Sequence, residues 1–318
     1  GTDRRRYSVT PCPVRYAGYD TFEQSGIMPM NRLIAADGVE LCYGIRRSGN
    51  GPSPAVLLIH GAASNHTRWS EFTRRTKLGK GFDLILPDMR GNARSMCRGR
   101  LDLGVWCEDL VAILDAESYD SAIVVGHSLG AQIAIHLAVT HPQRVRALAL
   151  IDPVVRQALT GRPKLMRRME PLVRLAILIL RMLNGLGLRR HKFPLMDLEK
   201  LDAETREIMR GNHPREALVQ RYSAMGLIRE HMPIANYLQQ LVASISPLPE
   251  LECIAVPTLV LESTGVEHMD RARSSAQFAR LQASELVKID ATHWPLTERP
   301  DEVRRAIENW IERLEPAA

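Results

Sequence analysis

A chain of 318 residues, 45% hydrophobic and 25% charged, has ordinary globular composition and enough length to bury one large core or two smaller ones, which excludes disorder and small disulfide-stapled scaffolds. The longest uninterrupted aliphatic stretch, Leu175 to Leu180, is six residues bounded by Arg174 and Arg181. That is far below the roughly 20 residues of a membrane-spanning helix, so no transmembrane segment is expected. The formal charge of +6 is localised: residues 153–248 hold 16 Lys and Arg against 8 Asp and Glu, and the rest holds 26 against 28. The basic segment contains only Phe193, Tyr222 and Tyr237 as aromatics and no nucleic-acid motif, so no nucleic-acid partner is expected.

The five cysteines (Cys12, Cys42, Cys97, Cys107, Cys253) are odd in number and lack CxxC spacing. Free thiols are therefore expected rather than a disulfide framework or a zinc site. Residues Gly1 to Thr10 carry Arg4, Arg5 and Arg6 without an apolar stretch behind them, so no secretory signal is read and a cytoplasmic location is expected.

Residues 1–30, with Pro11, Pro13, Gly18, Gly26 and Pro29, read as an irregular surface extension. Asn31 to Ala36 and Val39 to Arg47 then predict two strands joined by Asp37-Gly38, a dipeptide that accepts the positive φ angles of a tight turn. Ala55 to His60 is a continuous apolar run, the pattern of a strand buried on both faces. The same form recurs at Phe82 to Leu86, Ser121 to Val125, Val145 to Ile151, Pro257 to Leu261 and Glu285 to Ile289, with helical segments between most of them. Alternating strand and helix predicts a mostly parallel sheet flanked by helices. The alternation breaks once, in residues 153–248, whose helical patterns read as a cap inserted into a core formed by 31–152 and 249–318.

Gly126-His127-Ser128-Leu129-Gly130 is a GxSxG motif between an apolar strand and an amphipathic helix. The glycines let strand and helix approach closely while Ser128 sits on a strained turn with its hydroxyl presented. A merely tight turn would have the same local pattern, but matching motifs accompany it. With His60-Gly61-Ala62-Ala63, Asp88-Met89-Arg90-Gly91-Asn92-Ala93-Arg94-Ser95 and Ala291-Thr292-His293-Trp294-Pro295-Leu296-Thr297-Glu298-Arg299-Pro300, the chain resembles the α/β-hydrolase family from about Asn31 to Leu314. Ala93 and Thr292 stand where that family commonly has glycine.

The resemblance implies an α/β-hydrolase fold with Ser128 as nucleophile and His293 as general base. It also implies that the backbone amides of Ala62 and Leu129 form an oxyanion hole. For the acid it leaves two candidates, Glu267 after the strand ending near Leu261 and Asp152 after the strand ending at Ile151, with Glu267 slightly preferred. Glu262 and Asp270 are weaker candidates, Asp270 being placed to cap a helix beginning near Arg271.

A serine nucleophile implies a serine esterase, lipase, lactonase or thioesterase, acting through an acyl-enzyme on a small hydrophobic ester-type substrate and needing no metal or organic cofactor. An acyltransferase or perhydrolase with the same triad, and a receptor-like protein with slight turnover, remain alternatives. Within the cap, Pro171 to Leu188 is apolar almost all round, with Arg167, Arg174 and Arg181 at seven-residue spacing. It reads either as a helix packed on the core with one wet edge or as an apolar wall over Ser128, with interfacial membrane contact a lesser reading.

Overall fold

A computed structural model describes residues 7–12, 28–49, 51–190, 192–210, 215–222, 224–265 and 269–314. The predicted hairpin forms as β2 (Met30–Ile34) and β3 (Glu40–Arg46), with Gly38 at φ +83 in the turn between them. The apolar runs form β4 (Ala55–Ile59), β5 (Asp83–Pro87), β6 (Ala122–His127), β7 (Val145–Ile151), β8 (Thr258–Ser263) and β9 (Ser284–Ile289). With β1 (Thr10–Pro11) they make a nine-stranded sheet in the order β1-β2-β3-β5-β4-β6-β7-β8-β9. The pairings from β5 to β9 are all parallel and those among β1, β2, β3 and β5 antiparallel. Parallel strands point one way, so the loops after β4, β5, β6, β7, β8 and β9 all leave from one edge.

Strand β1 corrects the expectation of a wholly irregular extension. Thr10 pairs opposite Arg32, the Cys12 N–H donates to the Met30 carbonyl at 2.8 Å, and Cys12 is buried with its sulfur 3.1 Å from that of Cys42. A two-residue edge strand has too little alternation to be seen in a sequence.

Helices cover both faces. On one side α2 (Leu103–Ala116) and α3 (Leu129–Thr140) bury Trp106, Leu110, Ile133 and Leu137 against Leu57, Ile59, Val124 and Leu148. On the other, α1 (Ser70–Arg75) and α12 (Pro300–Leu314) pack against Val56, Leu58, Val125 and Ala149. Helix α12 does so with Val303, Ile307, Trp310 and Ile311, the i, i+4, i+7, i+8 stripe of an amphipathic helix.

Between β7 and β8 run α4 (Gly161–Arg168), α5 (Glu170–Gly185), α6 (Leu198–Met209), α7 (Arg215–Tyr222), α8 (Met225–His231) and α9 (Ile234–Ser244); α10 (Arg271–Phe278) and α11 (Pro295–Glu298) follow β8 and β9. Helix α9 packs between α3 and α5. The hydrophobic stretch expected to rest on the core or to wall the site is therefore α5, the outer layer, and among its residues only Ile177 is buried. Met232-Pro233 separates α8 from α9.

Candidate active site

Ser128 sits between β6 and α3 at φ +55, ψ −113, a backbone conformation that L residues rarely adopt. Two glycines make that turn possible. A Cβ on Gly126 would lie 2.3 Å from the Gly130 carbonyl oxygen, and one on Gly130 would lie 2.3 Å from that of Ile59. Strand and helix thus approach more closely than any side chain would allow. The Ser128 N–H donates to the Ile151 carbonyl at 2.9 Å, which ties the turn to the end of β7.

His293 leaves β9 ahead of α11, and its Nε2 lies 2.8 Å from Ser128 Oγ. Asp152, at φ +47 directly after β7, presents Oδ2 to His293 Nδ1 at 3.5 Å. Its Oδ1 accepts the Ser263 backbone N–H at 2.7 Å, and Arg271 approaches the same oxygen at 3.9 Å. Asp152 is almost fully buried. Burial works to raise its carboxyl pKa, but the close approach and charge of His293 and the Ser263 N–H outweigh it, and the pKa falls below the ordinary carboxylate value. The sequence-preferred carboxylate, Glu267, lies outside the described residues. Glu262 is occupied by hydroxyl hydrogen bonds from Ser274 and Ser275, each at 2.7 Å, and Asp270 caps α10 by accepting the Arg273 N–H.

Ala62 follows Gly61 in the turn after β4, and Gly61 packs so close to the elbow that a Cβ there would lie 3.4 Å from Ser128 Cβ. Leu129 is the first residue of α3, so its N–H has no intrahelical acceptor. Among the described residues neither the Ala62 nor the Leu129 N–H donates to a protein acceptor. The next amide, Ala63, is at φ +48 and donates to Gln240 Oε1 of α9 at 2.8 Å. Gln240 Nε2 in turn donates to Asn92 at 3.0 Å, and Asn236 Nδ2 donates to the carbonyls of Gly91 and Cys97 at 3.0 and 2.7 Å. Helix α9 therefore fastens two of the site's loops from above, and Ser128 is only 8% exposed.

Several positioning residues were not foreseen. His127 donates from Nε2 to the His293 carbonyl at 3.0 Å, and His60 accepts the Met89 N–H on Nε2 at 3.0 Å while donating from Nδ1 to Gly61 O. Burial holds His127 down at a pKa of about 3 and His60 at about 4, so both stay neutral and keep these bonds. The two motif-flanking positions in HG and GHSLG were the available signal; for Gln240, 177 residues from Ala63, the sequence had none. Thr292 takes the glycine-like position without strain, donating from N (2.7 Å) and from its hydroxyl to Glu298. Ala93 does not escape it and sits at φ +42. Among the described residues, no group of three or more His, Cys, Asp and Glu is arranged to hold a metal.

A family model for the alpha/beta hydrolase fold matches residues 54–300. The chain is 37% identical over 117 residues to an uncharacterized protein of Mycobacterium tuberculosis, covering 35% of this chain and 33% of that one. It is 32% identical over 111 residues to lipase LipV of the same organism, covering 35% of this chain and 41% of the lipase. The matches thus span only about a third to two-fifths of these relatives. In structure, the enol-lactonase of Burkholderia xenovorans superposes with a TM-score of 0.63 at 20% identity over 86% of this chain and 97% of the other.

Proposed function

This chain belongs to the α/β-hydrolase family, and from that premise we propose that it is a serine hydrolase cleaving a carboxylic ester, lactone or thioester with a hydrophobic acyl part, the helices of residues 153–248 acting as a cap over the site. The observation that carries the reading is the 2.8 Å contact between His293 Nε2 and a Ser128 held at positive φ.

Ser128 Oγ attacks the substrate carbonyl carbon as its proton passes to His293 Nε2, and the carbonyl π electrons move onto oxygen. The Ala62 and Leu129 N–H groups receive that oxyanion; losing one such donor typically costs about 10²–10³ in rate. Collapse re-forms the carbonyl and expels the alcohol or thiol, which takes the proton from His293. Water then gives a proton to the same nitrogen and attacks the acyl-enzyme; breakdown releases the acid and restores Ser128. Asp152 serves as the acid of the triad, holding the proton on Nδ1 and stabilising the imidazolium. The names of the lipase and the enol-lactonase agree with an ester-type substrate.

The test is a fluorophosphonate reaction with the adduct located by mass spectrometry, run beside a p-nitrophenyl ester chain-length series. An adduct on Ser128, abolished by Ser128→Ala, with turnover rising toward longer acyl chains, is expected. A folded sample with neither adduct nor turnover overturns the reading.

A further inference from the structure

Helix α5 presents its apolar face to water. Leu172, Leu175, Leu178, Ile179, Met182 and Leu186 are 49–77% exposed, and at 3.6 residues per turn they share one arc of about 120°. The opposite arc rests on α9. Monomeric soluble proteins rarely leave so continuous an apolar strip uncovered. Around it the charge is almost entirely of one sign: residues 161–190 contain eight Lys and Arg and a single acid, Glu170. Arg174 and Arg181 border the strip on the helix, while Lys164, Arg168 and Arg189 flank its two ends, all exposed.

We propose that α5 docks on the surface of an anionic lipid bilayer, lying in the interface with its leucines among the upper acyl chains and its arginines at headgroup level. Charge complementarity selects this occupant. A second copy of the chain seated on the same face would bring two strongly basic segments together, whereas anionic headgroups neutralise them. Length agrees: 16 residues make a helix of about 24 Å with charged flanks, and among the described residues no helix is long and apolar enough to cross a membrane. Because α5 rests on α9, and α9 holds the Ala63 and Asn92 loops, the bilayer would lie against the outer side of the helices covering Ser128.

The test uses the full chain in flotation assays with vesicles of phosphatidylcholine alone and of phosphatidylcholine mixed with phosphatidylglycerol. The protein should float with the anionic vesicles and not with the neutral ones, and added salt should weaken the association. The variant Leu175→Gln/Ile179→Gln/Met182→Gln, altered only at exposed positions, should bind at least about tenfold more weakly while keeping its circular dichroism spectrum. Sedimentation without lipid accompanies the assay. Failure to float with anionic vesicles, undiminished binding by the triple variant, or a lipid-free dimer that this variant abolishes while vesicles go unbound would each overturn the proposal. None of these readouts depends on turnover at Ser128.

Discussion

Asp152→Asn should leave the chain folded and slow ester turnover by about 10³–10⁴, because the substitution keeps the shape of the side chain and removes its charge. Its Oδ1 still accepts the Ser263 N–H, so the local structure has no reason to rearrange. Between Oδ2 and His293 Nδ1 the separation is 3.5 Å. At an effective dielectric constant of about 20, Coulomb's law makes an imidazolium–carboxylate attraction at that distance worth about 5 kcal/mol. Since the imidazole is charged only once it has taken the serine proton, most of that attraction is felt in the transition state, and every 1.36 kcal/mol is tenfold in rate. The assay is kcat/KM on a p-nitrophenyl ester, normalised to sites titrated with fluorophosphonate, in parallel with Glu267→Gln. A Glu267→Gln variant that collapses while Asp152→Asn stays within about tenfold of the parent would refute the assignment. A stability signature accompanies it. The folded-state pKa of Asp152 is depressed, so its contribution is complete above the unfolded value of about 3.9 and is lost as pH falls through the lower folded value. Asp152→Asn should lack that acid-limb component.

Acid should also unfold the protein through its buried histidines. His127 and His60 have folded pKa values of about 3 and about 4; the unfolded chain takes up their protons below about pH 6.5, and each therefore withdraws about 2 kcal/mol between pH 7 and pH 5. Urea unfolding across that range should show the loss, and His127→Gln should reduce it by about 2 kcal/mol. Arg68 and Asp202 form a buried ion pair at 2.6 Å that joins α6 to the loop after β4, with the Tyr222 hydroxyl also donating to Asp202. Asp202→Ala should cost about 3–5 kcal/mol by leaving Arg68 buried and unpaired, whereas Arg68→Met/Asp202→Leu should recover most of it in the same urea measurement. Gly126→Ala should yield insoluble or inactive protein, since its Cβ would meet backbone at 2.3 Å, and Gly99→Ala, which opens onto empty space, should be indistinguishable from the parent in thermal melts.

Legibility followed the number of physical constraints acting on each residue. Strands β4, β6 and β7 are buried on both faces, so nothing but apolar side chains fits and the runs announce themselves. The turn that carries Ser128 was readable for a related reason: where backbone meets backbone only glycine fits, and Gly126 and Gly130 mark it, whereas His293 was suggested only by the family resemblance of residues 291–300. The acid was not readable because Asp152 and Glu267 each follow a parallel strand, and chain order does not reveal which side chain reaches the imidazole. Helix α5 misled for the opposite reason. A row of leucines carries no record of whether a protein core or something outside the chain is meant to cover it, and burial was the default assumption.

Backbone strain gathers where the candidate chemistry is. The positive-φ residues other than glycine among the described residues are Ala63, Ala93, Ser118, Ser128 and Asp152. Four of the five lie in the loops after β4, β5, β6 and β7, on the single edge to which parallel strands deliver their C-termini. Such conformations cost of order 1–3 kcal/mol each and persist only where surrounding contacts over-determine them. Those contacts are present: Ile151 O holds the Ser128 amide, Leu261 O holds the Asp152 amide, and Gln240 holds that of Ala63. The first two belong to the sheet, whereas Gln240 comes from α9, which also carries α5 on its outer side. Helix α9 thus touches α5 on one side and fixes the Ala63 turn, beside the Ala62 amide, on the other, while Ser128 and Asp152 are anchored to strands.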